Sequence, residues 1–379
     1  MVNATRRLIL LGGGHAHIAV LRSAAQRRFD GELVLVSPNA QQLYSGMMPA
    51  QLRGVVGERA LSIDLGALCR AAGAQFVESS ATNMSVTRSH AHVQTDTTSI
   101  DGDWCSVDIG AIPTGHALPG VREHAYATRP LNAWHSLLQR VNEVLTTSDD
   151  DVPVSCCVVG GGAAGCELAF ALLARADMLG RAMSLTILSA APRLLPDFST
   201  RMSRCIAALL ETRGVRVKTG ATVASVTAQH VQLVDGQHID SALTLWLTGA
   251  DAPPLLRASA CTTDAAGFLL VDATLRAVNG DALWGAGDCV SHVVSPWVTK
   301  SGVYAVRSGA VLAHNLRCVT SGTVNRIRTF TPQHHTMFIL DSADGRAVLQ
   351  WRGILSYSRW AWLLKRVIDR RFVARYNNV

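Results

Sequence analysis

Short apolar runs that end in glycine clusters, each followed by a segment with apolar residues at helical spacing, occur at two places in the chain. Each helical segment leads to a second apolar run, so both places show a strand–turn–helix–strand pattern. This order is typical of parallel strands joined by crossover helices, and it predicts two α/β units. The predicted strand, helix and strand lie at 7–11, 14–28 and 33–36, and again at 154–159, 163–178 and 185–188.

The second glycine cluster has the spacing of a dinucleotide-binding turn. In VVGGGAAGCELA, Gly160, Gly162 and Gly165 form G-x-G-x-x-G between the strand and the helix. The first glycine allows a tight turn, the second lets backbone N–H groups approach a pyrophosphate, and the third lets the helix pack close to the strand. Glu167, on the same helix, is a further candidate cofactor-binding residue.

The first cluster, in LILLGGGHAHIAVL, contains one unexpected residue. Gly12, Gly13, Gly14 and His15 form a candidate phosphate-binding turn, but His17 stands where the third glycine belongs. One such turn is weak evidence, because glycine-rich turns occur by chance. Two of them, each between a strand and a helix, are much stronger evidence of two dinucleotide sites.

A third motif follows in the segment DALWGAGDCV, at 281–290. Here a predicted strand ends at Gly285 and Gly287, directly before Asp288. The glycines let a ligand lie against the backbone, and the carboxylate can accept hydrogen bonds from a ribityl hydroxyl. A turn capped by an aspartate is the alternative for this motif alone, but its order behind two glycine turns favours a ligand site.

Together these motifs resemble the two-dinucleotide-binding flavoproteins of the pyridine nucleotide-disulfide oxidoreductase superfamily. The resemblance implies an α/β fold with two Rossmann-like domains: a discontinuous domain that binds FAD and an inserted domain that binds NAD(P)H as co-substrate. Segments 107–113 and 245–254 correspond to the crossovers between the domains, and Gly249 is a candidate cofactor contact there. The expected parts are 1–115 and 251–322 for FAD, 116–250 for NAD(P)H, and a small α+β domain at 323–379.

Four further segments resemble a narrower branch of this superfamily: GGGHAH, YSGMMPAQLRG, TKSGVYAVRSGAVLAHNL and WAWLLKRVIDRRF. They look like the flavoprotein found fused to, or beside, selenide, water dikinase, a cousin of type II NADH dehydrogenases and sulfide:quinone oxidoreductases. That branch carries a histidine at the position of His17. We therefore expect an intact first site, in which His17 packs the helix against the strand.

The sequence departs from the superfamily pattern in two respects. Serine replaces the ribose-binding acid in both nucleotide-binding units, and the cysteines of a redox disulfide are missing. Ser37 and Ser189 end the strands where Asp or Glu usually binds a ribose hydroxyl. Arg193 follows without an intervening acid and could bind a 2′-phosphate, with a solvated loop arginine as the alternative, so the choice of NADH or NADPH stays open. Segment 43–54 contains no cysteine, which excludes a redox dithiol there.

Two segments are expected to lie beside the flavin. The first, 44–49, ends at Pro49 and resembles the loop that lines the ring in related enzymes. The second, 296–316, has apolar residues at helical spacing, and its N-terminus is expected to point at the flavin N1–C2 carbonyl. Lys300, within the first turn of that helix, could add a positive charge, with a solvated lysine as the alternative.

The C-terminal segment predicts a hairpin that turns around Asp344–Gly345, followed by an amphipathic helix at 356–376. Six basic residues and one acid lie in this helix. A basic face beside a tryptophan-bearing face is typical of a helix in a membrane interface. A helix that caps the protein's own core is the alternative. The expected apolar face consists of Tyr357, Trp360, Leu364, Val367, Ile368 and Phe372.

Composition narrows the class further. Apolar residues make up 48% of the chain and charged residues 17%, which argues against disorder and for large buried cores. The net charge of +7 is too diffuse to indicate nucleic acid as a partner. The nine cysteines form no C-x-x-C pair, so we expect neither a disulfide framework nor a metal site. The expected location is the cytoplasm, with peripheral attachment to the inner face of the membrane if the last helix binds lipid.

The function expected from these features is FAD-dependent oxidation of NAD(P)H with transfer of two electrons to a small acceptor, such as a quinone. One alternative keeps the flavin but oxidises a reduced sulfur or selenium compound. Another is a flavin-binding module whose redox state controls the binding of a partner. The sequence gives no signal for an oligomeric state.

Overall fold

The structure is a computed structural model that describes residues 6–147, 152–280 and 282–377. Asp281, the first residue of the DALWGAGDCV motif, lies outside the described residues. Up to the first crossover the elements are β1 (Arg7–Leu11), α1 (His15–Gln26), β2 (Glu32–Ser37), β3 (Gln41–Leu43), α2 (Met48–Leu52), β4 (Ser62–Asp64), α3 (Leu65–Ala72), β5 (Gln75–Glu78), β6 (Ala81–Val86), β7 (Ala91–Thr95), β8 (Ser99–Gly102), β9 (Trp104–Val107) and β10 (Ile112–Pro113).

The middle of the chain repeats the alternation of strand and helix, and the remainder returns to the first sheet before the C-terminal unit. The middle elements are α4 (Val121–His124), β11 (Ala125–Tyr126), α5 (Leu131–Thr147), β12 (Val154–Val159), α6 (Ala163–Met178), β13 (Met183–Ser189), α7 (Thr200–Thr212), β14 (Arg216–Thr219), β15 (Val223–Val226), β16 (His230–Leu233), β17 (His238–Asp240), β18 (Leu243–Trp246) and β19 (Ala250–Asp251). The last are α8 (Pro254–Ala258), β20 (Leu269–Val271), β21 (Leu283–Gly285), β22 (Val290–His292), α9 (Gly302–Thr320), β23 (Phe338–Asp341), β24 (Ala347–Trp351), β25 (Ile354–Ser358) and α10 (Arg359–Asn377).

The first parallel sheet has the strand order β21-β9-β1-β2-β5. Its centre, β1, pairs in parallel with both β2 and β9, and its four leucine and isoleucine side chains are at most 2% exposed. Apolar residues on both faces suit a central parallel strand, because helices and further sheets cover both sides. Strand β21 enters this sheet from a distant part of the chain, so the sheet is assembled from two separate segments.

The second parallel sheet has the order β11-β18-β12-β13-β14. Strand β12 and helix α6 have the bounds expected from the sequence, whereas α1 is shorter than expected and β2 and β13 are longer. The two crossovers meet in a two-stranded antiparallel sheet of β10 and β19. This pairing brings the two parallel sheets together at the point where the chain passes between them.

The C-terminal unit is a three-stranded antiparallel sheet followed by α10. The predicted hairpin around Asp344–Gly345 is confirmed by the antiparallel pairing of β23 with β24. The predicted helix start at residue 356 is wrong, because 354–358 forms a third strand and α10 begins at Arg359. Pairing of Leu349 with Ser356 and of Val348 with Tyr357 makes this segment part of the sheet. Strand pairing with β24 therefore overrides the helical periodicity of the segment.

The face of α10 that packs on the protein also differs from the expectation. Ala361, Lys365 and Asp369 are buried, whereas Trp360 is 52% and Val367 45% exposed. The predicted apolar face is wrong at Trp360 and Val367, and two charged residues of the helix, which pair with each other, lie inside the protein. Other members of that face, Leu364 and Phe372, do pack against the core. Within the described residues, no helix has the length and apolar character needed to cross a membrane.

Trp134 of α5 links the two halves of the nucleotide-binding region and provides a test of the packing. The side chain is fully buried, and its Nε1 donates a hydrogen bond of 2.8 Å to Oε1 of Gln51 in α2. We expect Trp134→Ala to lower the free energy of unfolding by about 3–5 kcal/mol because it leaves a large cavity. Trp134→Phe should cost about 1–2 kcal/mol, chiefly through the lost hydrogen bond.

The midpoint of urea-induced unfolding measures both effects, and Trp360→Ala is the matched control because Trp360 is exposed. The control should stay within about 0.5 kcal/mol of the wild type. An unchanged midpoint for Trp134→Ala would contradict this description of the core.

Candidate functional site

A cavity of about 1380 Å³ opens between the two parallel sheets and the C-terminal unit. Among the predicted site residues, it brings together His15, Pro49, Gly162, Glu167 and Lys300. Aromatic side chains from all three parts of the protein line the same space, which suits planar rings. They are Tyr44, Phe198, Trp297, Tyr304, Phe338, Trp351 and Phe372.

The second glycine turn leads into this cavity. A Cβ at Gly165 would lie 1.9 Å from the carbonyl oxygen of Gly160, so only glycine lets α6 approach the turn. At Gly162, the N-cap of α6, an added Cβ would meet no atom within 4 Å, and the residue lines the cavity. The N-terminus of α6 thus faces open space, as a diphosphate of NAD(P)H requires.

The first glycine turn is held by a histidine in place of the third glycine. Nδ1 of His17 lies 2.6 Å from the carbonyl oxygen of Gly12, and Nε2 lies 2.8 Å from the hydroxyl of Ser106. A carbonyl only accepts, so Nδ1 donates and the neutral Nε2 accepts from Ser106. Burial lowers the pKa of His17 to about 4, consistent with this neutral ring. His17 therefore ties the turn and α1 to strand β9.

His15, the first residue of α1, fits a ligand-binding role. Its ring lies beside the stacked rings of Tyr44 and Phe372, with centroids 6.1 and 5.6 Å away, and burial lowers its pKa to about 4. Nδ1 of this neutral ring is buried and has no hydrogen-bond partner among the described residues. Such a group calls for a partner, and an FAD molecule in the cavity beside α1 would supply polar atoms for it.

The third motif presents its carboxylate beside the first glycine turn. Asp288 follows Gly287 in a short 3-10 turn, and its side chain is 12% exposed. One Oδ of Asp288 accepts a hydrogen bond of 2.8 Å from a guanidinium nitrogen of Arg129, a residue between β11 and α5. Glycine at 287 and a carboxylate at 288 fit a ribityl chain laid against the backbone, with Arg129 as an additional charged neighbour that the motif does not indicate.

Four other predicted residues do not line the cavity. The hydroxyl of Ser37 donates to the carbonyl of Asn39 at 3.1 Å. Ser189 is 3% exposed and lies against Gly161. Gly249 accepts a hydrogen bond from the N–H of Thr114 and so joins the two crossovers. Arg193 donates to the carbonyls of residues 195, 196 and 198, so its guanidinium braces its own loop, and its binding of a 2′-phosphate stays a prediction.

Lys300 lines the cavity, but its position relative to α9 differs from the prediction. The helix begins at Gly302 with Ser301 as N-cap, so Lys300 precedes the first turn. Its Nζ donates to the carbonyl of Val290 and, at 3.0 Å, to the hydroxyl of Ser291. The ammonium also lies 3.9 Å from the ring centroid of Phe268. The two hydrogen bonds hold the positive charge of Lys300 against strand β22.

A buried charged cluster, formed by Tyr44, Glu167, Lys365 and Asp369, makes up another part of the cavity wall. Nζ of Lys365 lies 2.9 Å from Asp369 Oδ2, 3.6 Å from Glu167 Oε1 and 2.7 Å from the carbonyl oxygen of Gly46. The hydroxyl of Tyr44 donates to Asp369 at 3.1 Å. Glu167, predicted as a cofactor-binding residue, faces the C-terminal unit and accepts a hydrogen bond of 2.9 Å from the N–H of Asp341.

The pKa values in the Tyr44–Glu167–Lys365–Asp369 cluster reflect burial and mutual attraction. Burial alone would lower the pKa of Lys365, but the facing carboxylates of Glu167 and Asp369 outweigh it and raise that pKa. Burial raises the pKa of Glu167 to about 7, although Lys365 acts in the opposite direction. At neutral pH, Lys365 is therefore charged and Glu167 is near its midpoint, so its carboxyl can hold or release a proton.

The sequence carries a signal for Lys365 and Asp369, but it does not distinguish a buried pair from an exposed one. They stand four residues apart, and Asp369 is the one acid in a basic helix. An i, i+4 pair of opposite charge is most often on the surface, so its burial follows only from the packing of α10.

A family model described as pyridine nucleotide-disulphide oxidoreductase matches residues 6–309. Among curated proteins, an external alternative NAD(P)H-ubiquinone oxidoreductase B4 from Arabidopsis thaliana is 24% identical over 66% of this chain and 48% of its own length. The chain thus spans about half the length of that relative. A type II NADH:quinone oxidoreductase from Staphylococcus aureus is 21% identical over 100% of this chain and 98% of its own.

Solved structures share the fold at low sequence identity. NDH2 from Plasmodium falciparum in complex with NADH has a TM-score of 0.85 at 14% identity and covers 99% of this chain and 96% of its own. The sulfide:quinone oxidoreductase from Aquifex aeolicus has a TM-score of 0.81 at 16% identity, with coverage of 98% and 92%. Both similarities extend over the two parallel sheets and the C-terminal unit.

In the second glycine turn, Gly165 allows close packing of α6, whereas Gly162 faces the space for a ligand. We expect Gly165→Ala to lower the free energy of unfolding by about 2 kcal/mol or more, because its Cβ would overlap a backbone carbonyl. Gly162→Ala should leave stability unchanged but weaken NAD(P)H binding at least tenfold, because its Cβ enters the open space before α6. Thermal unfolding and nucleotide titration measure the two effects. Equal losses of stability in both variants would contradict the assignment.

Proposed function

The chain belongs to the pyridine nucleotide-disulphide oxidoreductase family, and we propose that it oxidises NAD(P)H and passes two electrons, through bound FAD, to a quinone. The family match confirms the superfamily predicted from the three motifs, and the two parallel sheets confirm the fold class. FAD is the cofactor and NAD(P)H the electron donor. The chemistry that FAD would supply when bound here is hydride acceptance from the nucleotide and electron delivery to the acceptor.

The observation that carries the proposal is one cavity whose wall combines two chemically different parts. Gly162 and the N-terminus of α6 lie on this wall, and so do Lys365, Asp369 and Phe372 of the C-terminal helix. A nucleotide beside Gly162 and an aromatic acceptor beside the C-terminal helix would share one space. The relatives named as NAD(P)H-ubiquinone and NADH:quinone oxidoreductases support the same pair of substrates.

Reduction of a quinone to a hydroquinone consumes two electrons and two protons, and the Tyr44–Glu167–Lys365–Asp369 cluster can supply one of these protons. Glu167 has a pKa of about 7 and lies 3.6 Å from the ammonium of Lys365. The ammonium stabilises negative charge that develops on an acceptor oxygen, and the neutral carboxyl can release its proton. We assign Glu167 as the proton reservoir and Lys365 as the electrostatic group.

The cavity wall favours a quinone over a sulfur compound as the reaction partner. No cysteine is among the cavity-lining residues, within the part of the chain that the structure describes. Burial raises the pKa of Cys289, which follows the ribityl aspartate Asp288, so this thiol is protonated and unreactive at neutral pH. Oxidation of sulfide through a cysteine persulfide would need a reactive thiol at the cavity, and the described cavity wall provides none.

The two half-reactions, followed separately by stopped-flow absorbance, test this assignment. Glu167→Gln should leave flavin bleaching by NADH within about threefold of the wild type but slow the quinone-dependent return of absorbance by roughly 10²-fold. In the wild type this second rate should fall as the pH rises through about 7, because only the protonated carboxyl donates. The variant should lose that dependence.

Glu143→Gln is the matched control, since Glu143 is an exposed glutamate on α5. It should behave as the wild type in both half-reactions. If a short-chain ubiquinone or menadione fails to restore the absorbance of the reduced wild type, the quinone proposal is wrong. If Glu167→Gln slows both half-reactions alike, Glu167 is not the proton reservoir.

We further propose that the C-terminal unit binds to a membrane surface next to the cavity mouth. Trp360, Leu363 and Val367 of α10 are 45–55% exposed, and Trp351 and Ile354 are exposed on the sheet and line the cavity. Exposed arginines surround these apolar side chains, a combination that suits an anionic lipid interface. They are Arg352, Arg359, Arg366, Arg370 and Arg371. A lipid-dissolved quinone would then enter directly from the bilayer.

Flotation with vesicles of phosphatidylcholine and phosphatidylglycerol (about 3:1) measures this binding. Combined Trp360→Ser, Leu363→Ser and Val367→Ser should lower the partition coefficient at least tenfold, because each change removes buried apolar contact with lipid. Val234→Ser is the control: Val234 is 68% exposed but lies in the second domain. Wild-type partitioning of the triple variant would contradict the proposal.

A further inference from the structure

Asp108 follows strand β9 and lies at the N-terminus of helix α1. Its side chain is 2% exposed, and Oδ2 accepts hydrogen bonds from the N–H groups of Ala16 and His17 at 2.8 and 3.1 Å. Gly14, the N-cap of α1, has no side chain to serve these N–H groups. Asp108 therefore caps α1 from a distant part of the chain.

The other oxygen of this carboxylate faces both FAD motifs. Oδ1 lies 2.2 Å from the position of a Cβ at Gly14 and 2.1 Å from that of a Cβ at Gly287. Asp108 is thus enclosed between the first glycine turn and the segment before Asp288. A diphosphate at the N-terminus of α1 would come close to this carboxylate, and their negative charges would repel each other.

The charged and titratable groups around Asp108 do not neutralise it. From α1, the rings of His15 and His17 are neutral, since burial lowers both pKa values to about 4. From the 3-10 turn, Asp288 adds a second negative charge, and burial keeps the thiol of Cys289 protonated. Arg129 pairs with Asp288, and the ammonium of Lys300 is held by Val290 and Ser291.

We propose that Asp108 couples FAD binding to the uptake of one proton, so that the diphosphate binds at α1 while the Asp108 carboxyl is neutral. This inference rests on the proposed function only in taking FAD as the ligand of the first glycine turn. The neutral acid keeps an oxygen for the N–H groups of Ala16 and His17 and gains an O–H that can donate to the diphosphate. Asp108 is a positioning residue for the cofactor.

The sign of the pH dependence follows from linkage. Burial, reinforced by Asp288, raises the pKa of Asp108 to about 7 against the two backbone hydrogen bonds. Below that pH the carboxyl is already neutral and FAD binding needs no proton. Above it, each pH unit should weaken FAD binding by up to about tenfold, the limit for one linked proton.

The test measures the Kd of FAD for the apoprotein, by quenching of flavin fluorescence, at pH 6, 7, 8 and 9. Wild-type Kd should rise at least 30-fold from pH 7 to pH 9. Asp108→Asn, which keeps a cap oxygen and carries no charge, should bind FAD at pH 9 as tightly as at pH 6. Calorimetry in two buffers of different ionisation enthalpy should show proton uptake at pH 8 in the wild type and none in the variant.

Asp64→Asn is the matched control, because Asp64 caps α3 in the same domain but is exposed. It should retain the wild-type pH dependence. Equal pH dependence of Kd in Asp108→Asn and the wild type would overturn the proposal, as would wild-type Kd values that do not change with pH. Failure of the apoprotein to bind FAD at any pH would instead overturn the proposed function, so the two failures are distinguishable.

Discussion

The buried ammonium of Lys365 holds three parts of the molecule in one arrangement. It contacts the carbonyl of Gly46 beside the first sheet, Glu167 on the helix of the second glycine turn, and Asp369 on its own helix. Taking these charges out of water is costly, and their mutual attraction compensates only in this geometry. The position of α10, and with it one wall of the cavity, depends on this interaction.

Other contacts of the C-terminal unit act in the same direction. Arg213, directly after α7, pairs with Asp344 at 2.6 Å, and Asn377 of α10 donates to the carbonyl of Ser62 at 2.8 Å. The unit thus spans both nucleotide-binding sheets and closes the space between them. Because the cavity exists only between these parts, its shape is a property of the assembled chain and not of either glycine turn.

Much of the nucleotide-binding region could be predicted from the sequence, since the relevant signals are local. Strand β12 and helix α6 have the expected bounds because apolar runs and glycine spacing specify them directly. The remainder depends on contacts between distant residues. Asp108 caps two N–H groups that lie 91 and 92 positions away in the sequence, so no local pattern indicates its role. Arg193 and Lys300 stand close in sequence to predicted ligand-binding segments, but in the structure their side chains donate hydrogen bonds to nearby carbonyl oxygens.

An anaerobic titration of the purified holoprotein tests the central claim most directly. We expect one equivalent of NADH or NADPH to bleach the visible flavin absorbance, and one equivalent of menadione to restore it with release of menadiol. Sulfide in place of the nucleotide should leave the spectrum unchanged. A spectrum that neither nucleotide bleaches, or one that sulfide bleaches and the nucleotides do not, would contradict the assignment of an NAD(P)H:quinone oxidoreductase.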